Sequence, residues 1–165
     1  HFRKATRGAD RRLYDAARRC ADCLCETFGP APKRVWIHGH PGMGYALCRL
    51  ARLVNEVESP GSGDKYFELA KFLLDTRHTV AEHRTSYHQS HRPVVEMTDA
   101  VGHAVTATYL WCGAADVYAE TGEKALLDAL HRLWHDVTAH KMYVTGGVAA
   151  LHHGELLRRT FRRWP

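Results

Sequence analysis

Several kinds of sequence feature are scarce in this 165-residue chain. No run of apolar residues reaches the roughly 18 to 20 needed to cross a bilayer, so we expect no membrane partner. Strand patterns are nearly absent, since residues 142–145 form the one short β-like run, which argues against a β-sheet fold. The first residues carry no signal-peptide pattern, from which we expect a cytoplasmic protein.

Cysteine is also sparse, with five residues and no framework spacing. A Cys20-x-x-Cys23 pair could bind a metal or act in redox chemistry. The pair lies inside a helical pattern, however, and no second pair of this kind follows. Because free cysteine commonly packs as a small apolar residue, we expect reduced thiols and no metal site in this chain.

The chain also lacks a large excess of positive or negative charge, since its formal net charge is +5 and its pI about 9.1. Arginines are spread along the chain except for a late cluster of four. The cluster consists of Arg158, Arg159, Arg162 and Arg163. We interpret it as a solvated helix face and expect no nucleic-acid partner.

The most regular feature that is present is a repeated amphipathic segment. Three copies begin at Asp10, Asp64 and Glu123, which are 54 and 59 residues apart. Each copy follows a glycine-bearing turn and continues with apolar residues at three- and four-residue spacing, which predicts a helix with one buried face. A period of this size holds two helices and their loops.

The second helix of each unit is the more apolar one, predicted at residues 44–57 and 99–120. Alternation of amphipathic and buried helices predicts an all-α fold, a ring of helical hairpins with the buried helices inside. A linear helical solenoid is the competing architecture.

Two Gly-His pairs, Gly39-His40 and Gly102-His103, stand at the beginning of the predicted inner helices. In a ring of hairpins the equivalent ends of inner helices meet at one mouth. Neutral imidazoles there could donate and accept hydrogen bonds to a polar ligand. Two buried histidines bonded to loop carbonyls would have the same spacing, and the sequence pattern leaves both interpretations open.

Two further groups could carry chemistry. The long loop between residues 78 and 95 holds His83, His88 and His91, but their spacing matches no standard metal motif, and we expect His91 to anchor the loop. Glu155 follows Gly154 in a glycine-flanked turn and is a candidate acid. A lone carboxylate is usually a surface residue, and acid/base work on a glycosidic bond needs a second group that spacing alone does not identify.

Several motifs together resemble a known family. They are Gly39-His40-Pro41, Gly63-Asp64-Lys65-Tyr66, Tyr87-x-Gln89-x-His91-x-Pro93, Ala100-Val-Gly-His-Ala-Val105, Lys141-Met-Tyr-Val-Thr-Gly-Gly147 and Gly154-Glu155. Their order along essentially the whole chain is similar to that in the β-L-arabinofuranosidases of glycoside hydrolase family 127. The resemblance implies an (α/α)6 barrel, of which residues 1–165 would be a central portion, incomplete at both ends.

The resemblance also implies roles for individual residues. Residues matching His40 and His103 line the sugar subsite, and the residue matching Glu155 is the general acid/base. The family nucleophile is a cysteine held on a zinc ion whose ligands follow the Gly-Glu motif, so the resemblance puts nucleophile and zinc outside this chain.

We therefore expect part of a retaining glycosidase that acts on arabinose-containing carbohydrate and is inactive alone. A non-catalytic helical-repeat module that binds sugar or peptide is the alternative. Because an incomplete ring exposes the apolar faces of its inner helices, we also expect poor solubility or self-association.

Overall fold

The computed structural model describes residues 9–28, 40–79, 84–148, 151 and 153–158. Five α-helices make up most of these ranges: α1 (Ala9–Phe28), α2 (His40–Val57), α3 (Asp64–Thr76), α4 (Ala104–Thr121) and α5 (Lys124–His140). A 3₁₀ helix, Val94–Glu96, lies between α3 and α4. The described residues contain no strand beyond an isolated bridge between His103 and Leu156. The prediction of an all-α fold is confirmed.

Helices α2 and α3 form the first hairpin, and Asn55 closes its turn. The Asn55 side chain accepts a hydrogen bond from the Gly63 backbone N–H (2.6 Å) and donates to the Asp64 carboxylate (3.0 Å). Asp64 is the acidic residue predicted to start a helix, and it does lie in the first turn of α3. A carboxylate at this end also meets the positive end of the helix dipole.

Helices α4 and α5 form the second hairpin, joined at Gly122 and Glu123. Its open end is closed by Asp136 of α5. One Asp136 oxygen accepts hydrogen bonds from the Ala100 backbone N–H (2.7 Å) and from Lys141 Nζ (2.5 Å). The start of α4 is thereby held against the end of α5.

Helices α2 and α4 pack side by side and run in the same direction. The ring of Tyr45 meets that of Tyr109 at 6.2 Å, and, farther along both helices, Arg52 Nε lies 2.5 Å from Glu120 Oε1. The backbones approach closely at Gly113, where a Cβ would lie 3.2 Å from the Tyr45 nitrogen. Because the two helices are parallel, their N-terminal ends lie at the same end of the molecule.

The core lies between the two hairpins and reaches α1. Its largest fully buried apolar side chains are Tyr66, Met97, Leu133, Val54 and Val117. The Tyr66 hydroxyl donates a 2.6 Å hydrogen bond to Asp22 of α1, which fastens that helix to α3. α3 and α5 each bury one face, and α4 buries a wider one, although its nearly continuous apolar sequence also leaves Val105 and Tyr109 exposed.

Two local predictions differ from the structure. The inner helix predicted to begin at residue 99 begins at Ala104, because Gly102 has a φ of +82°, which a right-handed helix does not admit. The β-like run at residues 142–145 is not a strand, because residues 143–146 form a turn closed by a hydrogen bond from the Gly146 N–H to the Tyr143 carbonyl. Within the described ranges, no helix has the length and apolar character needed to span a bilayer.

Candidate active site

His103 caps the N-terminus of α4. Its Nδ1 accepts a hydrogen bond from the Thr106 backbone N–H (3.4 Å), and the His103 backbone N–H donates to the Tyr87 carbonyl (2.9 Å). With Nδ1 acting as acceptor, the proton of a neutral ring lies on Nε2. The cap therefore selects the tautomer whose N–H points away from the helix.

Glu155 lies beside Nε2 of this ring. Glu155 Oε2 lies 3.2 Å from His103 Nε2, the His103 side chain being 26% exposed and that of Glu155 57%. The two residues, which are far apart in sequence, are thus brought together. Sequence analysis treated them as separate candidates and found no partner for Glu155.

Backbone contacts hold this pair in place. The Glu155 carbonyl accepts a hydrogen bond from the Ala104 N–H (2.8 Å), and the Leu157 N–H donates to the Gly102 carbonyl (2.8 Å). We call residues 153–157 the Glu155 turn. Glu155 itself has a φ of +45°, which is costly for a residue with a side chain and persists where the surroundings enforce it.

A second turn, residues 85–90, lies against the other side of Gly102 and His103, and we call it the Gln89 turn. The Tyr87 ring meets the His103 ring edge to face, with centroids 5.6 Å apart. A Cβ on Gly154 would lie 3.7 Å from Tyr87 Cε2, so Tyr87 also borders the Glu155 turn. Tyr87 is 36% exposed and forms an aromatic wall beside the pair.

Sequence reasoning gave Tyr87 and Gln89 no role, although both belong to one of the motifs that carry the family resemblance. Polar and aromatic residues in a loop have no periodicity, so the motif itself was the one signal that could have identified them.

The other predicted site residues are less closely placed. The His40 backbone begins α2 at the same end of the molecule as His103, as predicted, but its side chain lies outside the described residues. His83 is also outside them. Burial, and then the charge of Arg92, lower the pKa of His91, which favours its neutral form within the loop.

The described residues do not fit a zinc site. They contain no group of three or more His, Cys, Asp or Glu side chains arranged to hold a metal ion. Burial, and then the charge of Asp116, raise the pKa of the Cys48 thiol to about 11, so this thiol is protonated at neutral pH. No step of the chemistry considered below is therefore assigned to zinc.

The sequence matches a protein-family model over nearly its whole length. Residues 4–163 match the model described as Beta-L-arabinofuranosidase, GH127 catalytic domain. The chain belongs to this family. Membership confirms the resemblance noted from the motifs.

Individual GH127 relatives are consistent with this. The non-reducing end β-L-arabinofuranosidase of Bifidobacterium longum subsp. longum is 30% identical over 162 residues, covering 86% of this chain and 24% of the relative. A solved GH127 β-arabinofuranosidase is 39% identical with a TM-score of 0.74, covering 86% of this chain and 21% of that one. The GH127 β-L-arabinofuranosidase of Geobacillus stearothermophilus T6 is 29% identical with a TM-score of 0.74, covering 90% and 25%.

These matches have two consequences. The helical hairpins are part of an (α/α) barrel, as predicted, and the solenoid alternative is not needed. The chain spans about a quarter of the length of the relatives it matches.

Proposed function

We propose that this GH127 chain provides the acid/base carboxylate and part of the sugar-binding surface of a retaining glycosidase acting on L-arabinofuranosyl groups. The observation that carries the proposal is the 3.2 Å pair of His103 Nε2 and Glu155 Oε2, held on two clamped turns at the end of an inner helix. A carboxyl group that lies 3.2 Å from an imidazole nitrogen and is still 57% exposed can reach a bound substrate.

In the proposed reaction, Glu155 first gives a proton to the leaving glycosidic oxygen. It then accepts a proton from the water that releases the sugar. His103 Nε2 lies 3.2 Å from one carboxylate oxygen, and the second oxygen would face the substrate. The nucleophile that a retaining mechanism requires is not assigned to any described residue.

We propose sugar-binding roles for His40 and His103, with Tyr87 as the apolar wall of the subsite. Because His103 Nε2 lies beside Glu155, a sugar hydroxyl that accepts a hydrogen bond from the Nε2–H would compete with the carboxylate for it. An aromatic ring beside these polar groups suits a sugar, which presents C–H bonds on one face and hydroxyls at its rim.

Binding can be tested on the full 165-residue chain by NMR titration with methyl β-L-arabinofuranoside. We expect saturable shifts at the ring resonances of His103 and Tyr87, and a binding constant weakened at least about tenfold by His103→Ala, the factor for one lost hydrogen bond. His131→Ala, which removes an exposed histidine on α5, is the matched control and should bind as the unmodified chain does.

The same preparation tests the chemistry. We expect no release of chromophore from p-nitrophenyl β-L-arabinofuranoside, because an acid/base without a nucleophile does not complete a retaining reaction. Measurable turnover would contradict this expectation. Saturable binding of an unrelated peptide at His103, with no binding of the arabinoside, would instead favour the non-catalytic module.

A further inference from the structure

The side chain of Gln89 is buried and makes an unusual set of contacts. Gln89 is 1% exposed, and its Nε2 faces the carbonyl oxygens of Tyr87 (2.8 Å), Val101 (3.0 Å), His103 (3.4 Å) and Ser86 (3.5 Å). Because four acceptors surround this atom, it must be the NH₂ group of the amide. Its donors therefore bond directly to the backbone on both sides of Gly102.

Gln89 also has a backbone conformation that is rare for its residue type. Its φ is +53°, and within the described ranges the one other non-glycine residue with a positive φ is Glu155. Such conformations persist where surrounding structure enforces them, and they cluster at functional sites. Both of these residues lie on turns that clamp the same dipeptide, Gly102-His103.

The fit between Gln89 and Gly102 leaves no free space. A Cβ on Gly102 would lie 2.5 Å from Gln89 Nε2 and 2.1 Å from the Ser86 carbonyl oxygen. The Gln89 turn is anchored in turn to α3, because Arg77 Nη2 donates a hydrogen bond to the His88 carbonyl. Arg77 thus links the end of α3 to the Gln89 turn, and the buried Gln89 amide links that turn to the start of α4.

We propose that Gln89 is a positioning residue for the pair formed by His103 and Glu155. By bonding the carbonyls of Val101 and His103, its amide sets the backbone that directs the His103 ring and pairs with the Glu155 turn. The inference rests on the proposed function for its catalytic meaning, but the geometry it predicts can be measured without substrate.

The alternative is that Gln89 stabilises its own loop and nothing more. Ser90 offers the matched comparison, because it is also fully buried and its hydroxyl contacts the Thr85 backbone (3.3 and 3.4 Å). Ser90→Ala and Gln89→Met both remove buried polar contacts from this loop. Of the two side chains, that of Gln89 bonds the backbone beside His103.

The test is to measure how far the NMR resonances of the His103 ring shift when Glu155 is changed. In the full chain labelled at histidine, Glu155→Gln should shift the His103 ring resonances, because the group facing Nε2 changes. The same substitution is then made in the Gln89→Met and Ser90→Ala backgrounds. We expect the shift to disappear with Gln89→Met and to persist with Ser90→Ala.

Hydrogen exchange provides the second measurement and covers the case in which Gln89→Met is poorly stable. We expect Gln89→Met to speed exchange of the His103, Ala104 and Leu157 amides at least about tenfold, the factor for one lost buried hydrogen bond. Amides of α5 and the Trp134 indole signal should stay unchanged.

Two results would overturn the proposal. One is a His103 shift that survives Gln89→Met. The other is a uniform rise in exchange across all helices, including loss of the folded spectrum, since that would make Gln89 a stabilising residue without a positioning role. Failure of arabinoside binding alongside the expected Gln89 effects would refute the proposed function and leave this inference standing.

Discussion

At the scale of single residues, the site depends on backbone conformations that most residues avoid. Gly102 at +82°, Gln89 at +53° and Glu155 at +45° meet around one helix N-terminus. Gly102 is required for two separate reasons, its positive φ and the lack of space for a side chain. The two effects can be separated by experiment.

We predict that Gly102→Ala destabilises the chain by at least about 3 kcal/mol, the sum of a left-handed backbone cost and a steric clash. Gly122→Ala is the matched control, because Gly122 has a φ of +68° but nothing within 4 Å of an added Cβ. Gly122→Ala should reduce the free energy of unfolding by about 1 kcal/mol, which is the cost of the left-handed backbone alone. Urea unfolding of both variants measures the difference, and equal costs would contradict the steric argument.

At the scale of elements, carboxylates that are buried or largely buried join neighbouring helices. Asp116 of α4 is 6% exposed and accepts hydrogen bonds from Arg49 (2.9 Å) and Arg52 (2.8 Å) of α2. Asp136 of α5 accepts hydrogen bonds from Lys141 and from the Ala100 backbone N–H, which lies just before α4. Such carboxylates fix which helices are neighbours, because a buried charge without its partner is strongly unfavourable.

Asp136 gives a pH-dependent prediction. Burial by itself would raise its pKa, but the hydrogen bonds from Lys141 and the Ala100 amide, with the Lys141 charge, hold the pKa below its usual value. Because the folded pKa is the lower one, this carboxylate contributes stability above the unfolded pKa of about 3.9, and the contribution is lost as the pH falls through the folded pKa.

We therefore expect Asp136→Asn to reduce the free energy of unfolding by about 2 kcal/mol at pH 7 and by clearly less near pH 3. Asp128→Asn is the control, since its partner Lys124 is 81% exposed and the pair should contribute nothing measurable. Denaturant unfolding at the two pH values tests this. An unchanged Asp136→Asn effect at the lower pH would show that the ionised carboxylate is not what stabilises the hairpin.

At the scale of the whole molecule, the two inner helices leave apolar side chains exposed. Leu53 of α2 is 45% exposed, and Val105 and Tyr109 of α4 are 48% and 47% exposed. This chain is part of an (α/α) barrel, and it spans about a quarter of the length of its GH127 relatives. Exposed apolar surface of this kind commonly marks a contact region or causes association.

We predict that the isolated chain self-associates through this surface. Sedimentation velocity should show a concentration-dependent increase in mass that the double variant Val105→Glu with Tyr109→Glu reduces. Trp134→Glu, which alters a 65% exposed side chain on α5, should leave association unchanged. A chain that stays monomeric at all concentrations would refute the prediction.

Much of the architecture follows from local sequence. Apolar spacing within each repeat predicted the helices, since a helix buries the face that its own sequence makes apolar. The acidic start at Asp64 and the nearly all-apolar stretch after Ala104 needed no tertiary information. His103 and Glu155 were also identified as candidates individually, from the glycines that precede them.

What the sequence by itself determined is thus the alternation of helices and the identity of the two candidate side chains. The tertiary structure alone decided that His103 lies beside Glu155, that α4 begins directly after His103, and that the Gln89 amide donates to the backbone on both sides of Gly102. These facts depend on backbone contacts among residues 87, 102 and 157, which are distant in sequence. Helical periodicity describes neighbours three or four residues apart, so it carries no information about contacts between turns.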